Sequence, residues 1–250
     1  MATDRAALVT GGSRGIGAAT ARALAADGVR VAINYLRRED EAARVAGEVE
    51  RLGSQAVLVP GDVGDPDALE AVVAEAAERL GRLDIFVHCA VTPVARPVLE
   101  LTPEDWERSM AVNARAFLLG AQLAAARMQG WGRIVGLSAT GAHLPRNPRY
   151  AALAAAKGAV EALGRYLAVA LAPRGITVNC VAPGPTATEA FDAMAGPDPQ
   201  RLREALAART PMGRLGRPDD AARLIRFLCS EDAGWVTGQL LVADGGYSLA

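Results

Sequence analysis

A glycine-rich turn near the start of the chain has the residue types and spacing of a phosphate-binding site. Residues 10–17 read TGGSRGIG and follow a short apolar run. Gly11 allows a sharp exit from a strand, Gly15 lets the backbone approach a pyrophosphate, and Gly17 lets the following helix pack closely. The free N–H groups at the start of that helix attract phosphate, although a merely structural loop is the alternative. The predicted cofactor contacts in this turn are Gly11, Ser13, Arg14, Gly15, Ile16 and Gly17.

Basic residues indicate which dinucleotide such a turn would bind. Arg14 lies in the turn, and Arg37 and Arg38 follow the second predicted strand, where an NAD site usually places an acidic residue. Guanidinium groups are well suited to a 2′-phosphate. We therefore predict NADP(H), with Arg14 as the principal contact. Arg37 or Arg38 can instead be a solvated charge at the start of a helix.

A carboxylate follows the third predicted strand in the sequence Gly61-Asp62-Val63. At the edge of a parallel sheet, Asp62 is placed to accept a hydrogen bond from the amino group of an adenine. The alternative is that Asp62 only caps a turn.

Tyr150 and Lys157 lie seven residues apart within one predicted helix. Seven residues turn an α-helix by about 700°, roughly 20° short of two full turns, so the two side chains share a face. A phenol in such a position can act as a general acid, and the ammonium of Lys157 is expected to lower its pKa. The alternative is that Tyr150 is an ordinary core or interface aromatic.

These candidates require alternating strands and helices to position them, and the hydropathy pattern predicts that alternation. Continuous rather than alternating apolar strands indicate a parallel sheet covered on both faces. We predict an α/β fold, a single Rossmann-type doubly wound sheet of about seven strands, as one NAD(P)-binding domain over residues 1–250. The predicted strands are 6–10, 29–34, 56–60, 84–89, 133–138, 176–181 and 239–243. The predicted helices are 15–27, 39–52, 67–80, 103–129, 148–172 and 218–230.

Composition narrows the class of protein. The 250 residues carry 27 basic and 28 acidic side chains, for a net charge of −1, so no basic nucleic-acid or membrane patch is predicted. No apolar stretch reaches the length of a membrane span, and the N-terminus lacks the pattern of a signal peptide. Three dispersed cysteines and two histidines cannot form zinc-ligand spacing, so we predict no metal site and a cytoplasmic protein with reduced thiols.

Together with residues further along the chain, these features resemble the short-chain dehydrogenase/reductase family over essentially the whole sequence. The resemblance implies hydride transfer with NAD(P)(H), a substrate-side hydroxyl at Ser138, nicotinamide-ribose binding by Lys157 and a helix break at Asn113 that holds a proton-relay water. Together with alanine-rich long helices, it also predicts a homotetramer. The remaining predicted cofactor contacts are Tyr35, Asp62, Val63, Ala90, Pro183, Gly184, Thr186 and Thr188.

Two positions depart from the family pattern. The usual Asn-Asn-Ala-Gly after the fourth strand reads His88-Cys89-Ala90-Val91, and the usual Tyr-x-x-x-Lys has Leu153 in place of tyrosine. Tyr150 lies three residues earlier, which displaces it by about 4.5 Å along the helix axis. The Tyr-x6-Lys spacing resembles the NADPH-using type III enoyl-acyl-carrier-protein reductases of this family.

The displaced tyrosine suits conjugate reduction. When hydride goes to the β-carbon of an enoyl thioester, the oxygen that gathers charge lies farther from that carbon than in a ketone, so its hydrogen-bond donor must lie farther out. We therefore predict an enoyl-thioester reductase, with acyl carrier protein as a candidate partner. A ketoreductase that uses Tyr150 or His143 as donor is the first alternative, and a cofactor-binding protein without redox activity is the second.

The substrate side is predicted from the loops that follow the fifth and sixth strands. His143 lies after Ser138 and is either a donor to substrate or a solvent-exposed residue. Residues 186–199 are the least patterned stretch and are predicted to form a lid. Phe191 and Met194, three residues apart within it, are expected to cover an acyl chain.

Overall fold

Seven parallel strands form one sheet within residues 4–196 and 198–250, which are the residues that the computed structural model describes. The strand order is β3-β2-β1-β4-β5-β6-β7, and every neighbouring pair is parallel. The strands are β1 (Ala6–Thr10), β2 (Arg30–Tyr35), β3 (Ala56–Pro60), β4 (Ile85–His88), β5 (Gly132–Leu137), β6 (Ile176–Pro183) and β7 (Leu240–Ala243). The predicted doubly wound parallel sheet is confirmed.

Helices cover both faces of the sheet and bury two apolar layers against it. The central strands β1, β4, β5 and β6 are buried along their whole length, because crossover helices cover them on both sides. The helices are α1 (Gly15–Ala25), α2 (Glu39–Arg51), α3 (Pro66–Leu80), α4 (Pro103–Met110), α5 (Ala116–Ala125), α6 (Ala151–Leu171), α7 (Glu189–Met194), α8 (Pro199–Arg209) and α9 (Pro218–Leu228). Among the described residues, no helix is long and apolar enough to cross a membrane.

The direction of chain winding reverses between β1 and β4, which are neighbours in the sheet although β2 and β3 lie between them in sequence. Parallel sheets bind ligands in the crevice outside the carboxyl ends of their strands at such a point. The glycine-rich turn leaves β1 there. The loops after β4, β5 and β6 emerge at the same edge, so the fold gathers the predicted site residues.

Two predicted helices are shorter or less regular than the sequence pattern indicated. The helix predicted over 103–129 is divided by a π-helical segment, Ala111–Arg115, that contains Asn113, so the implied helix break is present. The helix predicted over 148–172 begins only at Ala151. Tyr150 lies in a preceding 3-10 turn, Pro148–Tyr150, because Pro148 starts that turn and Asn147 caps it.

The stretch predicted as an unpatterned lid contains helical structure. It contains α7, and α8 starts at its end, with Thr188 and Asp198 as side-chain caps. The sequence pattern missed both helices because α7 is too short to show a period and α8 buries none of its residues, so it has no apolar face. Pro197, which lies within the predicted lid, is outside the described residues.

Candidate cofactor and active site

The glycine-rich turn is packed too tightly for side chains at its key positions. A Cβ on Gly11, whose φ is +62°, would lie 2.8 Å from the Cα of Ala90, and a Cβ on Gly17 would lie 2.2 Å from the oxygen of Gly11. Helix α1 begins at Gly15, and its N-cap Arg14 provides no side-chain hydrogen bond. The first-turn N–H groups therefore stay available to an anion, and the turn fits the pyrophosphate of a dinucleotide.

Asn34 holds this turn in place and was not among the predicted site residues. Its Oδ1 accepts from the N–H of Gly11 at 3.4 Å, and its Nδ2 donates to the oxygens of Val59 and Gly61, both at 3.1 Å. One buried amide thus connects the ends of β1, β2 and β3. A polar side chain at the end of a buried apolar strand needs hydrogen-bond partners, and this feature of the sequence could have identified Asn34.

The structure places the predicted adenine-side residues in different surroundings. Asp62 is exposed, and its Oδ1 accepts from the N–H of Gly64 at 2.8 Å, which is the turn-capping role given as its alternative. Tyr35 packs in the core with 8% of its surface exposed, and desolvation raises the pKa of its phenol. Val63 is likewise buried.

The predicted 2′-phosphate residues divide into two groups. Arg14 Nη1 lies 2.5 Å from Oε2 of Glu189, and Arg38 Nη2 lies 3.9 Å from the same oxygen. Arg38 also pairs with Glu41 at 2.8 Å. Arg37 is exposed and is not part of this cluster. The fold therefore brings Arg14 and Arg38 together around one anionic group, as a 2′-phosphate contact requires.

The departure at His88 has a structural reason. The ring is fully buried, with Nε2 3.0 Å from the oxygen of Val112 in the π segment and Nδ1 3.0 Å from Oγ1 of Thr10. Burial, with the nearby charge of Lys157, lowers its pKa to about 3. A neutral ring that donates from Nε2 and accepts at Nδ1 satisfies both contacts. His88 therefore links β1 and β4 to the π segment as a core residue.

Tyr150 lies in the turn that precedes α6, and Leu153 lies in the first turn of that helix. Leu153 is almost fully buried in the core. The ring of Tyr150 packs against the backbone of Gly141, where a Cβ would lie 2.6 Å from Cε1 of the ring. No hydrogen bond to the Tyr150 hydroxyl exists among residues 4–196 and 198–250, so the hydroxyl is available to a ligand.

The expected activation of this phenol by Lys157 is wrong for the geometry observed. Burial raises the pKa of Tyr150 to about 12, and the charge of Lys157 does not contribute to the shift. Lys157 is itself buried, donates from Nζ to the oxygen of Leu137 at 2.7 Å, and has its pKa lowered to about 8 by burial. Tyr150 is therefore a protonated hydrogen-bond donor at neutral pH.

The side chain of Asn113 is hydrogen-bonded within the described part of the protein through its nitrogen but not through its oxygen, as a water relay needs. Its Nδ2 donates to the oxygen of Ser109 at 2.9 Å and to that of Thr92 at 3.4 Å. Its Oδ1 is buried and has no protein partner in the described part of the chain. The amide is held from one end while the other end can accept from a further donor.

Ser138, predicted as a substrate-side hydroxyl, has a protein partner in this structure. Its hydroxyl is buried and donates to Oε1 of Glu161, and Oε2 of Glu161 lies 2.7 Å from Nε2 of His143. Glu161 is buried while the His143 side chain is 51% exposed, so the three residues form a chain of contacts from the core to the surface. The sequence analysis missed Glu161, although its position four residues after Lys157 puts both on one face of α6.

The predicted nicotinamide-end and lid residues lie where β6 leaves the sheet. Pro183 is buried, and a Cβ on Gly184 would lie 2.6 Å from that of Asp244. The Thr186 hydroxyl donates to the oxygen of Gly184 at 2.9 Å, and Thr188 caps α7. Phe191 and Met194 are both partly buried on α7, three residues apart and on one face.

Comparison with known proteins identifies a family and related reductases. Residues 11–248 match the family described as enoyl-(acyl carrier protein) reductase. The chain is 39% identical to 1-cyclohexenylcarbonyl-CoA reductase of Streptomyces collinus, over 97% of this chain and 86% of that protein. It is 36% identical to versicolorin reductase of Emericella nidulans, over 97% of this chain and 95% of that protein.

A solved structure extends the likeness to the fold. A short-chain dehydrogenase from Burkholderia cenocepacia, in complex with NADP, is 38% identical with a TM-score of 0.92, over 100% of this chain and 99% of that one. The NADP in that structure agrees with the predicted cofactor, and the names of the relatives agree with the predicted reductase class. The chain therefore belongs to the short-chain dehydrogenase/reductase family and is an oxidoreductase.

Proposed function

We propose that the protein uses NADPH to reduce the carbon–carbon double bond of an enoyl thioester. The observation that carries this proposal is the position of the site tyrosine. Leu153 fills the usual position with buried hydrocarbon, while Tyr150 lies one turn outward with an unpaired hydroxyl among the described residues. A donor displaced outward suits an acceptor oxygen that is remote from the carbon being reduced.

In this proposal each group of residues in the site has a separate role. The glycine-rich turn holds the pyrophosphate, Arg14 and Arg38 bind the 2′-phosphate, and Lys157 binds the nicotinamide ribose. The bound cofactor supplies a hydride. Tyr150, whose pKa of about 12 keeps it protonated, donates a hydrogen bond to the thioester oxygen as negative charge develops there. Addition of hydride to the β-carbon also requires a proton at the α-carbon, and a water that donates to Asn113 Oδ1 would relay that proton from solvent.

The Streptomyces relative supports this substrate class. Its name describes a thioester whose carbonyl group is conjugated with a ring double bond, which is the arrangement that conjugate reduction requires. The match to the enoyl-(acyl carrier protein) reductase family points to the same bond type. Phe191 and Met194 on α7 are proposed to cover the acyl chain of such a substrate.

The decisive experiment compares two thioesters. NADPH consumption is followed at 340 nm with crotonyl and with acetoacetyl thioesters, each presented on coenzyme A and on acyl carrier protein. The proposal expects turnover of the crotonyl substrate and little with the acetoacetyl one. The opposite preference replaces it by ketone reduction. Activity with neither substrate, but tight NADPH binding, favours a cofactor-binding protein without redox activity.

A second candidate function is reduction of a ketone with His143 as the proton donor. The observation that favours it is the 2.7 Å contact between His143 Nε2 and the buried Glu161 carboxylate, which orients the ring. His143→Ala is expected to abolish ketone reduction if this candidate is correct, and added imidazole is expected to restore part of it. His143→Gln, which keeps the hydrogen bond to Glu161 but cannot deliver a proton, is the matched variant.

We also propose that the chain forms one domain, assembles as a homotetramer and acts in the cytoplasm. Tyr166 and Val169 are about 80% exposed on the outer face of α6, which leaves an apolar surface on this long helix for another subunit. Light scattering measures the assembly directly. A mass near 26 kDa in dilute solution contradicts the tetramer.

A further inference from the structure

A carboxylate of the chain lies between the two arginines that are assigned to the cofactor's 2′-phosphate. Glu189 Oε2 is 2.5 Å from Arg14 Nη1 and 3.9 Å from Arg38 Nη2. We propose that Glu189 competes with the 2′-phosphate of NADP(H) for these guanidinium groups and thereby sets the affinity for that cofactor. This inference rests on the proposed NADP(H) cofactor but not on the reaction catalysed.

The Glu189 carboxylate lies on a segment that is held to the rest of the protein by hydrogen bonds and contacts. Just before it, the N–H of Ala187 donates to the oxygen of Gly216 at 3.0 Å, and Thr186 pairs with Gly216 as a β-bridge. Thr188 contacts the glycine-rich turn, since a Cβ on Gly15 would lie 3.5 Å from its Cγ2. The start of α7 therefore lies directly over the phosphate-binding turn.

The far end of the same segment is also tied down. Arg203 on α8 contacts both carboxylate oxygens of Asp192 on α7, at 2.7 Å to Oδ1 and 2.5 Å to Oδ2 from Nη2. With α7 held at both ends, the backbone that carries Glu189 is fixed beside Arg14. An anion that arrives at Arg14 must displace this carboxylate or share the arginines with it.

The expected size of the effect follows from exposure. The side chains of Arg14, Arg38 and Glu189 are 48%, 55% and 57% exposed, so their pairing is screened by water and salt. A phosphate monoester carries about 1.5 to 2 negative charges near pH 7 and outcompetes a single carboxylate. Removal of the Glu189 charge should therefore tighten binding of a 2′-phosphate about two- to fivefold.

The test measures binding of two small nucleotides by calorimetry at low salt. The probes are 2′,5′-ADP, which carries the 2′-phosphate, and 5′-AMP, which lacks it. Glu189→Gln should bind 2′,5′-ADP about two- to fivefold more tightly than the native protein, with 5′-AMP affinity unchanged. Glu204→Gln is the matched control, because Glu204 is exposed on α8 and contacts only Gln200 among the described residues.

A double-mutant cycle separates competition from a general charge effect. In an Arg14→Ala background, Glu189→Gln should give at most a small gain for 2′,5′-ADP, since the shared partner is absent. Equal or weaker 2′,5′-ADP binding by Glu189→Gln overturns the competition, as does the same gain in both backgrounds. If the native protein does not prefer 2′,5′-ADP to 5′-AMP, the NADP(H) assignment fails as well, which distinguishes the two proposals.

Discussion

The two halves of the site are built in different ways. In the cofactor half, consecutive residues of one turn are placed by contacts with neighbouring strand ends, as between Gly11, Ala90 and Asn34. In the substrate half, residues far apart in the chain meet, as Ser138, Glu161 and His143 do. The cofactor half is therefore determined by backbone fit, and the substrate half by which side chains tertiary packing brings together.

The strongest test of the substrate half is Tyr150→Phe. Loss of the hydroxyl should lower kcat by about 10²- to 10⁴-fold on the active thioester, because a positioned donor contributes that much. NADPH affinity, measured by calorimetry, should stay near the native value. Tyr166→Phe, on α6, is the control, since its ring is 81% exposed. Near-normal kcat in the Tyr150 variant would make Tyr150 a packing residue.

Gly17→Ala is the substitution that should disrupt the cofactor half of the site most directly. The added Cβ would meet the oxygen of Gly11 at 2.2 Å, and backbone on both sides cannot move away cheaply. We expect a loss of about 3 kcal/mol in the free energy of unfolding, measured in urea, together with loss of NADPH binding. Gly47→Ala on α2 meets nothing within 4 Å and should instead stabilise by roughly 0.5–1 kcal/mol. Comparable stability of the two variants would contradict the tight fit.

The pH dependence of the free energy of unfolding tests the role of buried His88, which links β1 and β4 to the π segment. Its pKa of about 3 in the folded chain lies below the ordinary 6.5, so the unfolded chain binds more protons between these values. The free energy of unfolding should therefore rise with pH across that window, by up to about 1.4 kcal/mol per pH unit from this group. Below pH 6.5 this stabilisation is lost as the pH falls.

The variant His88→Asn isolates that contribution. Asparagine does not titrate, so the slope between pH 4 and 6 should be smaller than in the native protein. Urea unfolding at several pH values measures both slopes. Identical slopes would mean that His88 can accept a proton in the folded state.

The smallest expected effect is on NADPH affinity, and it distinguishes Arg14 and Arg38 from Arg37. Arg14→Ala should weaken NADPH binding about tenfold while leaving NADH unchanged, since a charge-assisted contact to the 2′-phosphate is lost. Arg38→Ala should act in the same direction. Arg37→Ala is the matched control, because Arg37 lies outside the cluster around Glu189. Equal affinity of the native protein for NADPH and NADH would contradict the assignment of this cluster.

Much of the framework is predictable because its signals are local. All seven strands were predicted to within two residues, since a buried parallel strand is a continuous apolar run bounded by turn residues. The glycine-rich turn was predicted for a similar reason, as Gly11 and Gly17 occupy positions that exclude a side chain. The helices α7 and α8 were missed because neither buries an apolar face.

The amino-acid sequence alone determines the type and order of the elements and the phosphate-binding turn. It also shows that Leu153 replaces a tyrosine. Each of these features depends on residues that are adjacent in the chain. Packing alone gives the Ser138 hydroxyl a carboxylate partner in Glu161, and raises rather than lowers the pKa of Tyr150. It also places Glu189 against Arg14, 175 residues away. A hydroxyl, phenol or carboxylate takes its role from its partners and its burial, and the fold alone sets both.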